Sequence, residues 1–214
     1  MSGDLGSLLT PSNISAGSPP ALLNAIKSWV LNSKRMATRH LYGFWVFLLD
    51  RTDFQEWRFH LWGRNRRPKA GMPAPIHTHD KFVDSRVLIG ELENLVYEAT
   101  PTQGGGLPVY EARHIGDKYS PENKNLLIKT ADRRIPRLAH CQTITQGQSY
   151  TVPAHAFHEA KVRDAAITCT IARMHSQVAG PVRILGVDGY PETIEFMRES
   201  APAPDVIAAE LAGG

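Results

Sequence analysis

The sequence predicts an all-β protein, a closed or double-sheet antiparallel fold with one helix before it and a shorter one after it. Short apolar or alternating segments recur between glycine, proline and aspartate clusters from about residue 41 to residue 175. Helical spacing is clear only after Pro20 and is suggested once more around 193–199. No repeat of fixed period runs through the chain.

Composition narrows the class of function. With 42% hydrophobic and 21% charged residues, the 214-residue chain suits one domain with a full core plus tails. A formal charge of +3 is too small and too scattered to argue for nucleic acid, and the basic run Arg64–Lys69 reads as a solvated loop. Cys141 and Cys169 form neither a disulfide framework nor a CxxC pair, which points to a reducing compartment. No basic and apolar leader is evident, and no apolar run approaches the roughly 18 residues of a membrane span. The expectation is a cytoplasmic protein without membrane or nucleic-acid partners.

The elements follow in order. Residues 1–20, rich in Ser, Gly and Pro, read as a mobile arm. A flanking helix is expected over 21–40, where Leu22, Leu23, Ile26, Trp29 and Val30 recur at helical spacing. The barrel is placed at 41–178. It opens with the apolar run Leu41–Leu49, a strand buried on both faces and the candidate interface of a homodimer. The returning strand, Phe54–Trp62, puts Trp57, Phe59 and Leu61 on one face and Arg58, His60 and Trp62 on the other. Residues 82–89 and 91–99 read as a hairpin about Gly90, and Val109–Ile115 as a partner strand. Separate extended pieces are expected at 126–129, 139–145, 150–153 and 166–173. Residues 179–214 hold the short helix, around Thr193–Glu199, and an Ala/Pro tail.

The chemistry concentrates at histidines. His77 and His79, at i and i+2, share a face only in an extended strand, where they supply half of a metal site; otherwise they are surface histidines beside a proline-rich loop. The second half is Gly147-Gln148-Ser149-Tyr150-Thr151-Val152-Pro153-Ala154-His155-Ala156-Phe157-His158, a glycine turn, a strand, a proline corner and a histidine. Together the two stretches resemble the paired motifs of the cupins, small jelly-roll barrels that bind a metal. Gly71, His77, His79 and Gly90 match the first motif; Gly147, Pro153 and His158 match the second, with His155 where the family has glycine and Val162 where it has asparagine. The resemblance covers about residues 40–175.

That resemblance implies a cupin-like double-stranded β-helix with the metal on His77, His79 and His158. The family's glutamate falls on Val83 counting back from Gly90, or on Asp84 counting forward from His79. Either the fourth ligand is absent, a three-histidine set similar to that of thiol dioxygenases, or Asp84 serves. Three imidazoles suit Fe(II), the expected ion, and also Zn, Ni, Mn or Cu. Arg58, His60, Arg86, His155 and Arg173 are the candidates for binding a small-molecule substrate, an arginine inside the barrel being a carboxylate anchor. Glu159 reads as solvent-facing, and Trp62 and Tyr150 as core. His140–Cys141 is set aside as a nucleophile pair, since strand neighbours face opposite ways. No catalytic residue beyond the ligands is assigned. The expected activity is that of a metal-dependent, dioxygenase-like oxidoreductase acting on a small polar or anionic molecule. The alternatives are an isomerase or lyase using the metal as a Lewis acid, and a binding module without catalysis.

Overall fold

The computed structural model describes residues 5–64, 75–116 and 124–211. Gly71, most of the basic loop Arg64–Lys69 and residues 117–123 of the expected polar loop lie outside them. In chain order the elements are α1 (Leu5–Leu8), α2 (Pro11–Ala16), α3 (Pro19–Leu31), β1 (Met36–Arg39), β2 (Trp45–Arg51), β3 (Gln55–Trp62), β4 (Phe82–Ile89), β5 (Glu91–Pro101) and β6 (Leu107–His114). They continue with β7 (Asn125–Thr145), β8 (Ser149–Val152), β9 (Phe157–Lys161), β10 (Thr168–His175), β11 (Val182–Leu185), β12 (Thr193–Phe196), β13 (Ser200–Pro202) and α4 (Ala203–Leu211).

One antiparallel sheet has the order β13-β1-β2-β3-β10-β4-β8. The other runs β11-β6-β7-β5-β9, with β12 also pairing to β7. His77 bridges the outer strands of this second sheet, pairing with His158 on β9 and Ile184 on β11. Two facing sheets, with strands returning across the sandwich as β3-β10-β4-β8 and His77-β9-β5-β7, are the cupin-like double-stranded β-helix. The turn at Gly90 needs its glycine: φ is +74°, and a Cβ there would lie 2.5 Å from the Ile167 carbonyl oxygen.

The largest apolar core lies outside the barrel, between the seven-stranded sheet and the helices. Trp57, Phe59 and Leu61 of β3 pack there with Leu22, Ile26 and Val30 of α3 and with Val206 and Ile207 of α4. The alternation read for β3 therefore holds, and its other face looks into the barrel. The Leu41–Leu49 run is consumed within the chain: Trp45, Phe47 and Leu49 join the helix-side core, while Phe44 and Val46 line the interior. Most of the run is thus buried within the chain itself.

Several expectations are corrected. Residues 5–16 are helical rather than a mobile arm, and Leu5, Leu9 and Ile14 are buried in the helix-side core. Thr10 caps α2 by accepting from the Asn13 N–H, with Pro11 in the first turn. Residues 126–145 form a single long strand rather than separate pieces, because β7 pairs first with β6 and then with β5. Pro136 sits where only β5 pairs with it, a position that tolerates the missing N–H. Thr193–Phe196 is a strand on β7, not a helix, and the terminal helix lies further on, at Ala203–Leu211. Among the described residues no helix is long and apolar enough to cross a membrane.

Candidate metal centre

Two stretches bring the histidines together. His77 and His79 come from the strand-like stretch before β4, and His158 from β9, held across from His77 by reciprocal backbone hydrogen bonds of 2.9 and 3.0 Å. Their ligand nitrogens all lie within 4.8 Å of one another, the one such three-residue group among the described residues. The ring centroids are 4.8–5.0 Å apart.

The nitrogens fit an ion. The Nδ1 of His77 lies 2.7 Å from the Pro75 carbonyl, which only accepts, so Nδ1 carries the proton and Nε2 offers its lone pair. His79 Nε2 and His158 Nε2 face each other at 3.0 Å. Two nitrogens each about 2.1 Å from one ion, at roughly a right angle, lie about that far apart. Burial lowers the pKa of all three imidazoles: slightly opposed at His77 by the Pro75 bond, and reinforced at His79 and His158 by mutual repulsion among the cluster. Neutral imidazole is the form a metal binds. The site is a set of ligands without a carboxylate.

The rival fourth ligand is placed elsewhere. On β4, Val83 and Ser85 face the cavity, whereas Asp84 turns outward. Its carboxylate accepts from Thr151 Oγ1 at 2.8 Å and lies 2.8 Å from His175 Nε2. Val83, on which the count back from Gly90 puts the family's glutamate, lines the same cavity as the histidines and offers no ligand atom.

The cluster opens onto a cavity of about 330 Å³ between the two sheets. Of the sequence's candidates, Arg58 and His60 line it. Arg86 does not: it faces outward, bonding the Gly147 carbonyl and, through Nη1, the carbonyls of Ile14 and Gly17, so it pins α2 to the sheet. Arg173 shares that outer face and donates to Gln55 at 2.8 Å. His155 is also outside the cavity. Its Nε2 lies 3.2 Å from the Ala179 carbonyl oxygen, and its backbone adopts φ +60°, the left-handed conformation for which the family's glycine is suited.

The cavity also holds residues that the sequence did not assign to it. His40, Tyr42 and Phe44 come from the turn between β1 and β2, closed by His40 N–H to Phe44 O at 2.7 Å and by Gly43 at φ +92°. Tyr42 packs 5.3 Å from His77, ring to ring. Trp62 and Tyr150, read as core, line the cavity as well. So does Glu159, read as solvent-facing, which accepts from the Tyr97 hydroxyl at 3.2 Å. Burial lowers the His60 pKa to about 3, helped by the positive Arg58. The one signal for the turn was its aromatic density, which reads equally as strand.

No protein-family model and no curated protein matches the chain. Among solved structures, an RmlC-like cupin family protein with a double-stranded β-helix fold from Methanocaldococcus jannaschii is similar at 10% identity. The likeness covers 68% of this chain and 84% of that one, with a TM-score of 0.32. The strand order above, rather than this distant likeness, makes the fold cupin-like.

Proposed function

We propose that the protein is a metal-dependent oxygenase, with Fe(II) on His77, His79 and His158, acting on a small anionic molecule held in the barrel. The observation that carries this reading is the convergence of three neutral imidazoles, His158 buried and His77 and His79 half-buried, with no carboxylate among them, at the wall of a sheltered cavity. A divalent ion on three neutral ligands keeps about two positive charges, against about one beside a carboxylate. In a low-dielectric pocket that charge favours an anionic ligand. When bound, iron would supply the redox chemistry that joins substrate and dioxygen.

The chain's own residues support the remaining tasks. The Pro75 carbonyl holds the His77 tautomer. Arg58 brings positive charge to the same cavity and is braced there by Glu56, which accepts from its Nε at 3.1 Å. Tyr42, Phe44 and Trp62 exclude water from the wall beside the histidines. There is no requirement for 2-oxoglutarate in this reading, since the anionic substrate itself takes the open positions.

Metal analysis of protein purified without chelator, followed by oxygen-electrode assays of the iron form, tests the proposal. Iron binding with substrate-dependent oxygen uptake is the expected result. His77→Ala, His79→Ala and His158→Ala should each lower metal affinity by tenfold or more. Turnover under nitrogen with zinc or nickel would replace oxygenase by Lewis-acid chemistry, and full metal retention in His158→Ala would overturn the ligand set.

A further inference from the structure

The cavity is large and aromatic for a short amino thiol. At about 330 Å³ it has room for on the order of ten non-hydrogen atoms, each given a water's share of ~30 Å³. Five carbocyclic or indole side chains line it: Tyr42, Phe44, Trp62, Tyr150 and Phe196. Part of this wall is prebuilt. Phe44 stacks on Trp62 at 4.5 Å and 25°, and on its other side His40 stacks on Phe44 at 4.4 Å and 16°. Rings held by one another cost little further ordering when a ligand arrives.

Charge is laid out along the same wall. Arg58, His60 and Trp62 alternate on the cavity face of β3, so cation and indole are separated by four residues, about 13 Å of extended strand. The Arg58 end is strongly positive. Buried Glu56 is shared there by Arg58 at 2.5 Å, Lys81 at 3.3 Å and Arg51 at 3.6 Å, three cations about one carboxylate. Lys81, two residues after His79, reaches the same carboxylate at 3.3 Å, which puts the positive end on the side of the histidine cluster. The cavity's own carboxylates accept from neutral donors, Asp80 from Gln177 at 3.0 Å and Glu159 from Tyr97 at 3.2 Å, which orients them without supplying a counter-charge.

We infer that the ligand is an acid carrying an aromatic ring, its anionic group at the Arg58 and histidine end and its ring against the Phe44–Trp62 wall. The inference deepens the proposed function by naming the substrate class, and it rests on that reading for the site of reaction. Ring-on-ring contact favours an aromatic over a saturated body of the same size, and the cation cluster favours acid over amine.

Calorimetry on the full chain, chelator-treated and zinc-loaded, tests this with five compounds. 3-Phenylpropanoate should bind both forms, about tenfold more tightly than 3-cyclohexylpropanoate. 3-Phenylpropylammonium and cysteine should bind more weakly still. Phe44→Leu and Trp62→Leu should each shrink the aromatic preference below about threefold, and Arg58→Gln should weaken 3-phenylpropanoate more than its neutral amide. Equal binding of the saturated acid, tighter binding of the ammonium or cysteine, or no binding of 3-phenylpropanoate by folded protein overturns the inference. Oxygen uptake by the iron form separates the two claims. Aromatic-acid binding without any uptake removes the oxygenase and leaves the ligand class standing, whereas uptake with cysteine alone does the reverse.

Discussion

Along β3, Trp57, Phe59 and Leu61 enter the core shared with the helices, whereas Arg58, His60 and Trp62 enter the cavity. The same eight-residue strand therefore does two jobs, separated only by the alternation of side chains. The helix side is apolar and closely filled, so it holds the sheet in place. The cavity side carries imidazoles and the Arg58 cation, which is paired with Glu56, so it is the face that supplies chemistry. Every site residue on the seven-stranded sheet depends on packing that lies behind it.

Acid should separate the two faces most. His40, His60, His77, His79 and His158 all have pKa values lowered mainly by burial. Above pH 6.5 they are neutral both folded and unfolded, and contribute no pH dependence. Below it the unfolded chain takes up protons that the fold refuses, so stability falls with pH. For His60 the window runs from 6.5 to about 3, and at ~1.4 kcal/mol per unit its share is at most roughly 5 kcal/mol. Denaturant midpoints of the metal-free protein from pH 8 to pH 4 should show the decline, and His60→Gln should flatten it. A midpoint unchanged down to pH 4 would show that the histidines are hydrated rather than buried.

Phe59→Ala, on the opposite face, should lower stability by about 3–5 kcal/mol at neutral pH, because the ring is fully buried and leaves a void against the helices. Chemical denaturation reads this directly. A loss below about 1 kcal/mol would mean that the helices relax into the gap and do not brace the sheet.

Arg86→Ala tests a residue first assigned to substrate and found on the outer face. Its guanidinium bonds three carbonyls, two of them in or just after α2. The variant should lose about 1.5–3 kcal/mol and show faster hydrogen exchange over α2, with metal content and ligand binding unchanged. Loss of ligand binding without faster exchange would return Arg86 to the site.

What the sequence made legible is what strict periodicity encodes. The β3 alternation and the β4–β5 hairpin at Gly90 follow from period two and turn glycines, and the grouping of His77 and His79 with His158 from the resemblance to the paired cupin motifs. The helices α1 and α2 were hidden because Leu5, Leu9 and Ile14 are spread among Ser, Gly and Pro. They are buried against α3 and the sheet, and Arg86, 69 or more residues away along the chain, bonds carbonyls in and just after α2. Strand β7 was hidden because its centre carries Asp132, Arg133, Arg134, Pro136 and Arg137, and only pairing with both β5 and β6 explains its continuity. The cavity residues His40, Tyr42 and Phe44 were hidden by a turn that imitates a strand in composition.

Asp84→Ala should have the smallest effect, and it decides the ligand count. Its neighbours in sequence, Val83 and Ser85, face the cavity, so strand geometry sends the Asp84 side chain to the outer face. There it meets His175 and Thr151, each at 2.8 Å, in a pair that is partly exposed on both sides. Screening by water limits such a pair to about 1 kcal/mol or less. Metal content and azide affinity of the iron form should therefore match the unaltered protein within error. For Asp84 to act as a ligand, β4 would have to slip by one residue and exchange its faces. That would carry Arg86 inward and break its bonds to the carbonyls of Ile14 and Gly17. A collapse of metal content in Asp84→Ala would thus contradict both the three-histidine set and the register of β4.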